Sequence, residues 1–232
     1  MAAVIAAIEA LAQRLLAALP QTQCTRCGYP DCAAYAHAIA EGSASINQCP
    51  PGGAQGIERL AAISGHPVLP LNPTHGTESH RNVVFIDEDW CIGCTLCIKA
   101  CPTDAIVGSN KRMHTVMEAY CTGCELCLPV CPVDCIALEN VSGEATGWNA
   151  WSPALAEQAQ QRYTLGSQRR GREVAENTLR LEEKARTKLA DLSAHSQLTD
   201  PILLDQKRAV IEAALARSRA KRAKLDAADS AS

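Results

Sequence analysis

Two cysteine-rich segments of the chain repeat each other at an offset of thirty residues. Each holds four cysteines in the spacing Cys-x2-Cys-x2-Cys-x3-Cys, followed by proline. The cysteines are Cys91, Cys94, Cys97 and Cys101 in the first segment and Cys121, Cys124, Cys127 and Cys131 in the second. The register extends beyond the cysteines, because Gly93 aligns with Gly123 and Ile106 with Ile136. The duplication predicts a small domain made of two similar halves.

The spacing matches the cysteine run of bacterial two-cluster ferredoxins, in which the fourth cysteine of each run binds the other cluster. We therefore predict two [4Fe–4S] clusters. Cluster 2 would be held by Cys91, Cys94, Cys97 and Cys131, and cluster 3 by Cys121, Cys124, Cys127 and Cys101. We expect the fourth cysteine of each run to open a helix. Zinc is disfavoured, because zinc sites commonly use two close cysteine pairs separated by a longer loop.

Cys135 aligns with Ala105 and has no counterpart in the repeat. We expect it to be a small buried side chain beside a cluster rather than a ligand, since free cysteine commonly behaves as a small apolar residue.

A third cysteine group lies nearer the N-terminus. Its members, in the spacing Cys-x2-Cys-x4-Cys-x16-Cys, are Cys24, Cys27, Cys32 and Cys49. Thiolates suit both zinc and iron–sulfur clusters, so the ligand type does not distinguish the two. From the spacing alone, zinc and unligated thiols stay open. A third cluster beside the other two would extend an electron path.

The composition points to metal as the stabilising element. The 232 residues include one Phe and 3% aromatic residues, so a large aromatic core is not expected, whereas thirteen cysteines are present. Small domains with small cores usually need disulfides or metals. No secretory signal is visible, and a cytosolic chain keeps its thiols reduced. An odd cysteine count also fits a disulfide framework poorly.

The predicted fold class is α+β. It comprises a small N-terminal helical iron–sulfur module, a bacterial two-[4Fe–4S] ferredoxin-type domain with short strands and helices, and a C-terminal α-helical hairpin. Helices are expected over 4–19, 33–40, 153–192 and 202–227. The predicted divisions are 1–63 for the N-terminal module, 64–81 for a linker, 82–140 for the two-cluster domain, 141–153 for a second linker and 154–232 for the charged helical extension.

Charge is distributed unevenly. Residues 1–151 carry 7 Lys and Arg against 14 Asp and Glu, and residues 152–232 carry 15 against 11. An acidic front and a basic tail suit a carrier that docks electrostatically, although a solvated helical tail is equally consistent. Nucleic acid is not expected, because acidic residues interrupt the basic ones and aromatic residues are scarce.

No residue pattern predicts catalysis by a side chain or binding of a small-molecule substrate. The sequence has neither a phosphate-binding loop with its lysine nor a Gly-x-Gly-x-x-Gly turn opening a helix, so a bound nucleotide is not supported. We expect ordinary surface or loop roles for the six histidines, which are His37, His66, His75, His80, His114 and His195.

The stretch LPQTQCTRCGYPDC at 19–32, followed by INQCPPGG at 46–53 and the two ferredoxin motifs, resembles the B subunit of the Rnf (also called Rsx) electron transport complex. The resemblance covers about residues 19–140. It implies a [4Fe–4S] cluster, cluster 1, held by Cys24, Cys27, Cys32 and Cys49, making three in all. It also implies electron transfer to redox partner proteins, among them other Rnf subunits.

Two features depart from that family. Its B subunits usually begin with a transmembrane helix, whereas this chain begins with an amphipathic helix containing Glu9 and Arg14 and adds a long helical C-terminal extension. We therefore expect a variant in the cytoplasm or peripheral on the cytoplasmic face of the inner membrane. The alternative function is a soluble polyferredoxin that donates electrons to cytosolic reductases. A third class is an iron–sulfur sensor or nucleic-acid-associated protein.

Overall fold

A computed structural model describes residues 2–229, which fold into helices and short antiparallel strands. The helices are α1 (Ala2–Ala18), α2 (Cys32–Ala40), α3 (Gly53–Ser64), α4 (Leu96–Ala100), α5 (Pro153–Ala190) and α6 (Pro201–Asp229). The strands are β1 (Asn82–Ile86), β2 (Ile106–Val107), β3 (Thr115–Val116) and β4 (Ile136–Asn140). The mixed helix and sheet class is confirmed, as are the four helices expected from periodicity; α3 was not anticipated. The chain divides into one unit ending at Ser167 and a second beginning at Gln168.

The N-terminal part of the first unit is built on α1, α2 and α3. Leucines spaced along α1 place Leu15 in the core, with Tyr35 and Ile39 of α2 and Ile57 of α3 packed into the same cluster. The side chain of Asp31 caps α2 by accepting a hydrogen bond from the amide of Ala34 at 2.7 Å. Three predicted cluster ligands belong to this core: Cys27, Cys32 and Cys49. The cysteine loops are therefore anchored on a small helical core.

Strand pairing in the ferredoxin-type region follows the thirty-residue repeat. β1 pairs antiparallel with β4, and β2 pairs antiparallel with β3. The pair Ile86 and Ile136 corresponds by the repeat to Val116 and Ile106, so the two ladders are equivalent. Loop conformations repeat as well: the φ angles of Thr95 and its counterpart Glu125 are 66° and 64°. The two halves thus share their strand pairing and loop conformations, although only the first has a helix, α4, before its fourth cysteine.

The segments 64–81 and 141–153, expected to be linkers, make specific contacts within the first unit. The carboxylate of Glu78 accepts hydrogen bonds from the amide of Ala54 at 2.9 Å and from the hydroxyl of Thr146 at 2.7 Å. Gly53 has a φ of 58°, and a Cβ there would lie 2.3 Å from that carboxylate, so the position favours glycine. Trp148 is buried, with the guanidinium of Arg59 3.9 Å from its ring centroid.

The first turns of α5 also belong to the first unit. Arg162 donates hydrogen bonds to the carbonyls of Thr103 at 2.7 Å and Asp104 at 3.0 Å, and its guanidinium lies 3.7 Å from the ring centroid of Tyr120. The hydroxyl of Tyr163 donates to Asp31. These contacts fix α5 where it leaves the ferredoxin-type region.

In the second unit, the buried carboxylate of Glu182 on α5 contacts α6. It accepts hydrogen bonds from Ser218 at 2.8 Å and Arg222 at 3.0 Å. Among residues 2–229, no helix is both long and apolar enough to cross a membrane.

Candidate iron–sulfur cluster sites

The four N-terminal cysteines lie together in one buried site. Cys24, Cys27, Cys32 and Cys49 are each no more than 9% exposed. Burial, reinforced by the nearby thiols of Cys24 and Cys27, raises the pKa of Cys32 to about 12. Burial and then Cys32 and Cys24 raise the pKa of Cys49 well above its usual value. The thiols are thus close enough to disfavour one another's ionisation.

The loop before α2 holds these thiols through an unusual backbone path. Gln21, Gln23 and Thr25 adopt left-handed φ angles of 59°, 55° and 59°. The side chain of Gln23 is buried; its oxygen accepts the amide of Cys32 at 3.0 Å and its nitrogen donates to Gln21 at 3.1 Å. Gln23 is therefore a positioning residue that sequence analysis did not single out. Its exchange for leucine would remove both contacts.

Glycine also lets the chain approach the fourth thiol of this set. A Cβ on Gly52 would lie 3.4 Å from the sulfur of Cys49, at the near limit of ordinary van der Waals contact. A larger residue there would crowd the space around the sulfur.

The cysteines proposed for cluster 3 line one small cavity. Its lining includes Cys101, Cys121, Cys124 and Cys127, although Cys101 comes from the other half of the repeat. Burial, then the charges of Cys101 and Cys121, raises the pKa of Cys124 to about 12. The structure therefore brings the fourth cysteine of the first run to the three of the second.

The cysteines proposed for cluster 2 lie around Cys91. Burial, then Cys94 and Cys91, raises the pKa of Cys97. The sulfur of Cys135 lies 3.5 Å from that of Cys131, and burial, this hydrogen bond and the charges of Cys131 and Cys91 raise the pKa of Cys135 to about 12. Cys91 and Cys131 therefore share one neighbourhood, from opposite halves of the repeat.

Amide groups surround the sulfur of Cys131. Burial raises its pKa, but the N–H groups of Val133 and Cys135 and the Cys135 thiol outweigh burial and leave the pKa lowered. The equivalent sulfur of Cys101 accepts the amide of Ala105 at 3.1 Å. The expectation that the fourth cysteines open helices is wrong: Cys101 ends α4, and a turn follows Cys131. A turn suits these positions because it directs successive N–H groups to the sulfur, which a helix interior would not.

The donor sets fit [4Fe–4S] clusters. Each set supplies four soft thiols, the ligands such clusters use. The buried thiols raise one another's pKa, so holding them as thiolates needs positive charge between them, which cluster iron would supply when bound. Among residues 2–224, whose side chains the structure describes, no group of three or more His, Cys, Asp or Glu is arranged to hold a single metal ion.

His114 contacts the cluster 2 set. Its ring is 1% exposed, and its Nδ1 lies 3.3 Å from the sulfur of Cys97. The expectation of an ordinary surface or loop role is wrong for this histidine. Seventeen residues separate it from Cys97, so no local spacing signalled the contact.

The N-terminal cysteine loop abuts the loop of the second ferredoxin run. The hydroxyl of Thr122 donates to the carbonyl of Thr22 at 2.9 Å in a buried setting. Arg26 forms an ion pair with Glu125 at 2.6 Å. These two contacts join the loop that carries Cys24 to the loop that carries Cys121 and Cys124.

Family models match both cysteine regions. A family described as "4Fe-4S dicluster domain" matches residues 84–138, and one described as "Putative Fe-S cluster" matches residues 19–51. The two matched ranges contain the twelve predicted ligands and Cys135.

Curated relatives are named as the B subunit of an ion-translocating oxidoreductase complex. The relative from Azoarcus sp. (strain BH72) is 56% identical over 109 residues, which is 47% of this chain and 60% of the relative. That from Thiobacillus denitrificans is 57% identical over 107 residues, 46% of this chain and 57% of the relative. The relative from Shewanella pealeana is 54% identical over 107 residues, which is 46% of this chain and 56% of the relative. The matched region spans less than two thirds of each relative, and over it the resemblance to the Rnf B subunit is confirmed.

Proposed function

We propose that this chain is an electron carrier that holds three [4Fe–4S] clusters and serves as the B subunit of an Rnf-like ion-translocating oxidoreductase complex. The names of the relatives support the assignment to a complex. The matches to two iron–sulfur families support the cofactor. When bound, each cluster takes up or releases one electron.

The ligand assignment is the basis of this proposal. Cys24, Cys27, Cys32 and Cys49 hold cluster 1, Cys91, Cys94, Cys97 and Cys131 hold cluster 2, and Cys121, Cys124, Cys127 and Cys101 hold cluster 3. The observation that carries it is the cavity in which Cys101 meets Cys121, Cys124 and Cys127. Such crossing of the fourth ligand is the arrangement of two-cluster ferredoxins, and a pair of independent zinc knuckles would not need it.

The contacts between loops support an electron path that joins cluster 1 to cluster 3. Thr122 and Glu125 lie between the ligands of cluster 3 and bind Thr22 and Arg26, which flank Cys24. Cluster 2 then follows through the shared ferredoxin-type core. No side chain acts as acid, base or nucleophile in this role; the residues hold thiolates, direct N–H groups at sulfur and exclude water.

We further propose that α5 and α6 form a hairpin in the second unit that docks a redox partner, with the chain cytoplasmic or peripheral on the cytoplasmic face of the inner membrane. The contacts of Glu182 with Ser218 and of Arg208 with the Leu189 carbonyl support antiparallel packing. The basic balance of residues 152–232 supports docking to an acidic surface.

Anaerobic purification with iron and sulfide analysis tests the cluster assignment. We expect about twelve irons and twelve sulfides per chain, from three four-iron clusters. The variant Cys101→Ser should perturb one EPR signal selectively, whereas the matched variant Cys135→Ser should keep all twelve irons. About eight irons with zinc, or equal iron loss in both variants, would contradict the assignment.

Gentle lysis of native cells tests the proposed complex. The chain should co-purify with membrane subunits. Recovery solely as a soluble protein bound to cytosolic reductases would instead establish the soluble polyferredoxin and overturn the complex assignment.

A further inference from the structure

Clusters 2 and 3 would occupy equivalent positions in the repeat, but the side chains around them are not equivalent. By the thirty-residue offset His114 corresponds to Val84, and Cys135 corresponds to Ala105. His114 contacts Cys97 of the cluster 2 set. Val84, also buried, lines the cavity of the cluster 3 set. One set therefore faces an imidazole where the other faces an alkyl group.

The imidazole contact is a hydrogen bond with a determined direction. A thiolate that binds iron has no proton, so Cys97 can only accept and the Nδ1 of His114 must donate. The remaining nitrogen, Nε2, is buried and has no hydrogen-bond partner among the described residues. His114 is 1% and Cys97 5% exposed, so water does not compete for the bond.

Gly108 makes the space for this ring. A Cβ on Gly108 would lie 2.3 Å from Cδ2 of His114. In the equivalent place the other half has Leu138, which pairs across the ladder with Val84. A histidine and a glycine in one half thus replace a valine and a leucine in the other, and the exchange keeps the site filled while adding a donor.

A second donor acts on the same set. The Cys135 sulfur lies 3.5 Å from that of Cys131, and with Cys131 bound to iron only Cys135 has a proton to donate. The equivalent Ala105 has no side-chain donor.

Two hydroxyls near the cluster 3 set do not compensate. The Thr122 hydroxyl lies near the sulfur of Cys124, and the Thr103 hydroxyl lies 3.9 Å from that of Cys101. Each hydroxyl has one proton and gives it to a carbonyl at 2.9 Å, that of Thr22 for Thr122 and that of Tyr120 for Thr103. Carbonyls can only accept, so neither proton reaches a sulfur of this set.

We propose that His114 and Cys135 make cluster 2 easier to reduce than cluster 3, so that an electron shared by the two clusters rests on cluster 2. Reduction adds one electron, breaks no bond and increases negative charge on the sulfurs. Donors to sulfur stabilise the reduced form more than the oxidised form and so raise the reduction potential. The inference rests on the proposed clusters and deepens their role by giving an order to the two ferredoxin-type sites.

Redox titration of the purified holoprotein, monitored by EPR, tests the proposal. His114→Val introduces the residue found at the equivalent position, Val84. It should reduce the equilibrium constant for reduction of one cluster about tenfold, which lowers the midpoint potential of that cluster by about 59 mV for one electron. Cys135→Ala should lower the same midpoint by less, because S–H is a weak donor. The signal perturbed in Cys101→Ser identifies cluster 3, whose midpoint should not move in His114→Val or Cys135→Ala.

Two variants separate a hydrogen bond from a structural effect. His114→Asn keeps an N–H donor near the position of Nδ1, the nitrogen that contacts Cys97, and should recover part of the shift. Gly108→Ala leaves the histidine in the chain but displaces its ring, and it also strains the backbone because the φ of Gly108 is 153°. It should lower the same midpoint as His114→Val. If His114→Val fails to bind a full complement of iron, these two variants decide the question by the same titration.

A transplant into the other half provides the converse test. The double variant Val84→His with Leu138→Gly should raise the midpoint of cluster 3, while Val84→Ala should leave it nearly unchanged. The inference would be overturned if His114→Val, fully loaded with iron, had unchanged midpoint potentials. It would also be overturned if His114→Val and Cys135→Ala shifted the midpoint potentials of different clusters. A wild-type chain without two ferredoxin-type signals would instead refute the proposed function.

Discussion

Replacing Tyr35 with phenylalanine should loosen the segment that leads into Cys49. The Tyr35 ring is 1% exposed, and its hydroxyl joins two backbone groups of this segment. It donates to the carbonyl of Ser45 at 2.8 Å and accepts the amide of Gln48 at 3.0 Å. Phenylalanine keeps the ring in the core and removes only the oxygen, so the packing with Ile39 and Leu15 is retained.

The expected magnitude follows from these two bonds. Each net hydrogen bond contributes about 1 kcal/mol, so losing both should reduce the local free energy of opening by about 2 kcal/mol. That loss corresponds to about thirtyfold faster exchange of the Gln48 amide, since 1.4 kcal/mol is tenfold. Because Gln48 precedes Cys49, cluster 1 should also release iron to a chelator faster than clusters 2 and 3.

Hydrogen–deuterium exchange with mass spectrometry across residues 45–49 measures the first effect, and chelator-trapped iron release measures the second. Tyr29→Phe is the matched control, because Tyr29 stacks on Tyr35 with centroids 5.5 Å apart but its hydroxyl makes no hydrogen bond among the described residues. Equal exchange rates in Tyr35→Phe and Tyr29→Phe would refute the argument that the hydroxyl holds this segment.

Three further variants test contacts in each unit. Thr122→Val should leave a buried carbonyl unpaired and cost about 1–3 kcal/mol, seen as faster amide exchange in the N-terminal cysteine loop; no change would show that the two loops are held by other contacts. Arg162→Ala should free the start of α5 from Tyr120 and increase its cleavage by chymotrypsin after Tyr163, whereas Arg172→Ala should not. Ser218, then Arg222 and Arg186, lowers the pKa of Glu182, so its stabilisation is full above about pH 4.3 and declines as pH falls through the lowered pKa. Glu182→Gln should abolish that pH dependence in amide exchange of α6, and an unchanged pH profile would contradict it.

Local pattern was enough to predict much of this chain. The helix expected over 4–19 is α1, and the two long C-terminal helices lie close to their predicted bounds. Such elements depend on residues a few positions apart, and their periodicity is visible directly. The resemblance to the Rnf B subunit, drawn from residues 19–32 and 46–53, is confirmed over the matched region. The ligand sets stay predictions that metal analysis will test.

Other features could not be predicted from local sequence patterns, because they depend on residues far apart in the chain. Glu78 packs against Gly53 from a segment rich in proline and glycine, which predicted only a linker. α3 begins at Gly53, a residue that favours turns, and tertiary packing of Ile57 and Leu60 stabilises it there. Composition indicates where the chain can bend but not what it packs against.

By itself, the sequence determined the number of thiols, their grouping along the chain, and the duplication that makes two halves alike. These depend on spacing along the chain, which the covalent backbone sets directly. The tertiary structure decided how the halves differ. The antiparallel pairing of β2 with β3 brings Gly108 against His114 and His114 against Cys97, while the equivalent ladder brings Leu138 against Val84. A hydrogen bond needs both partners within about 3.5 Å, and only the fold sets distances between residues so far apart in the chain.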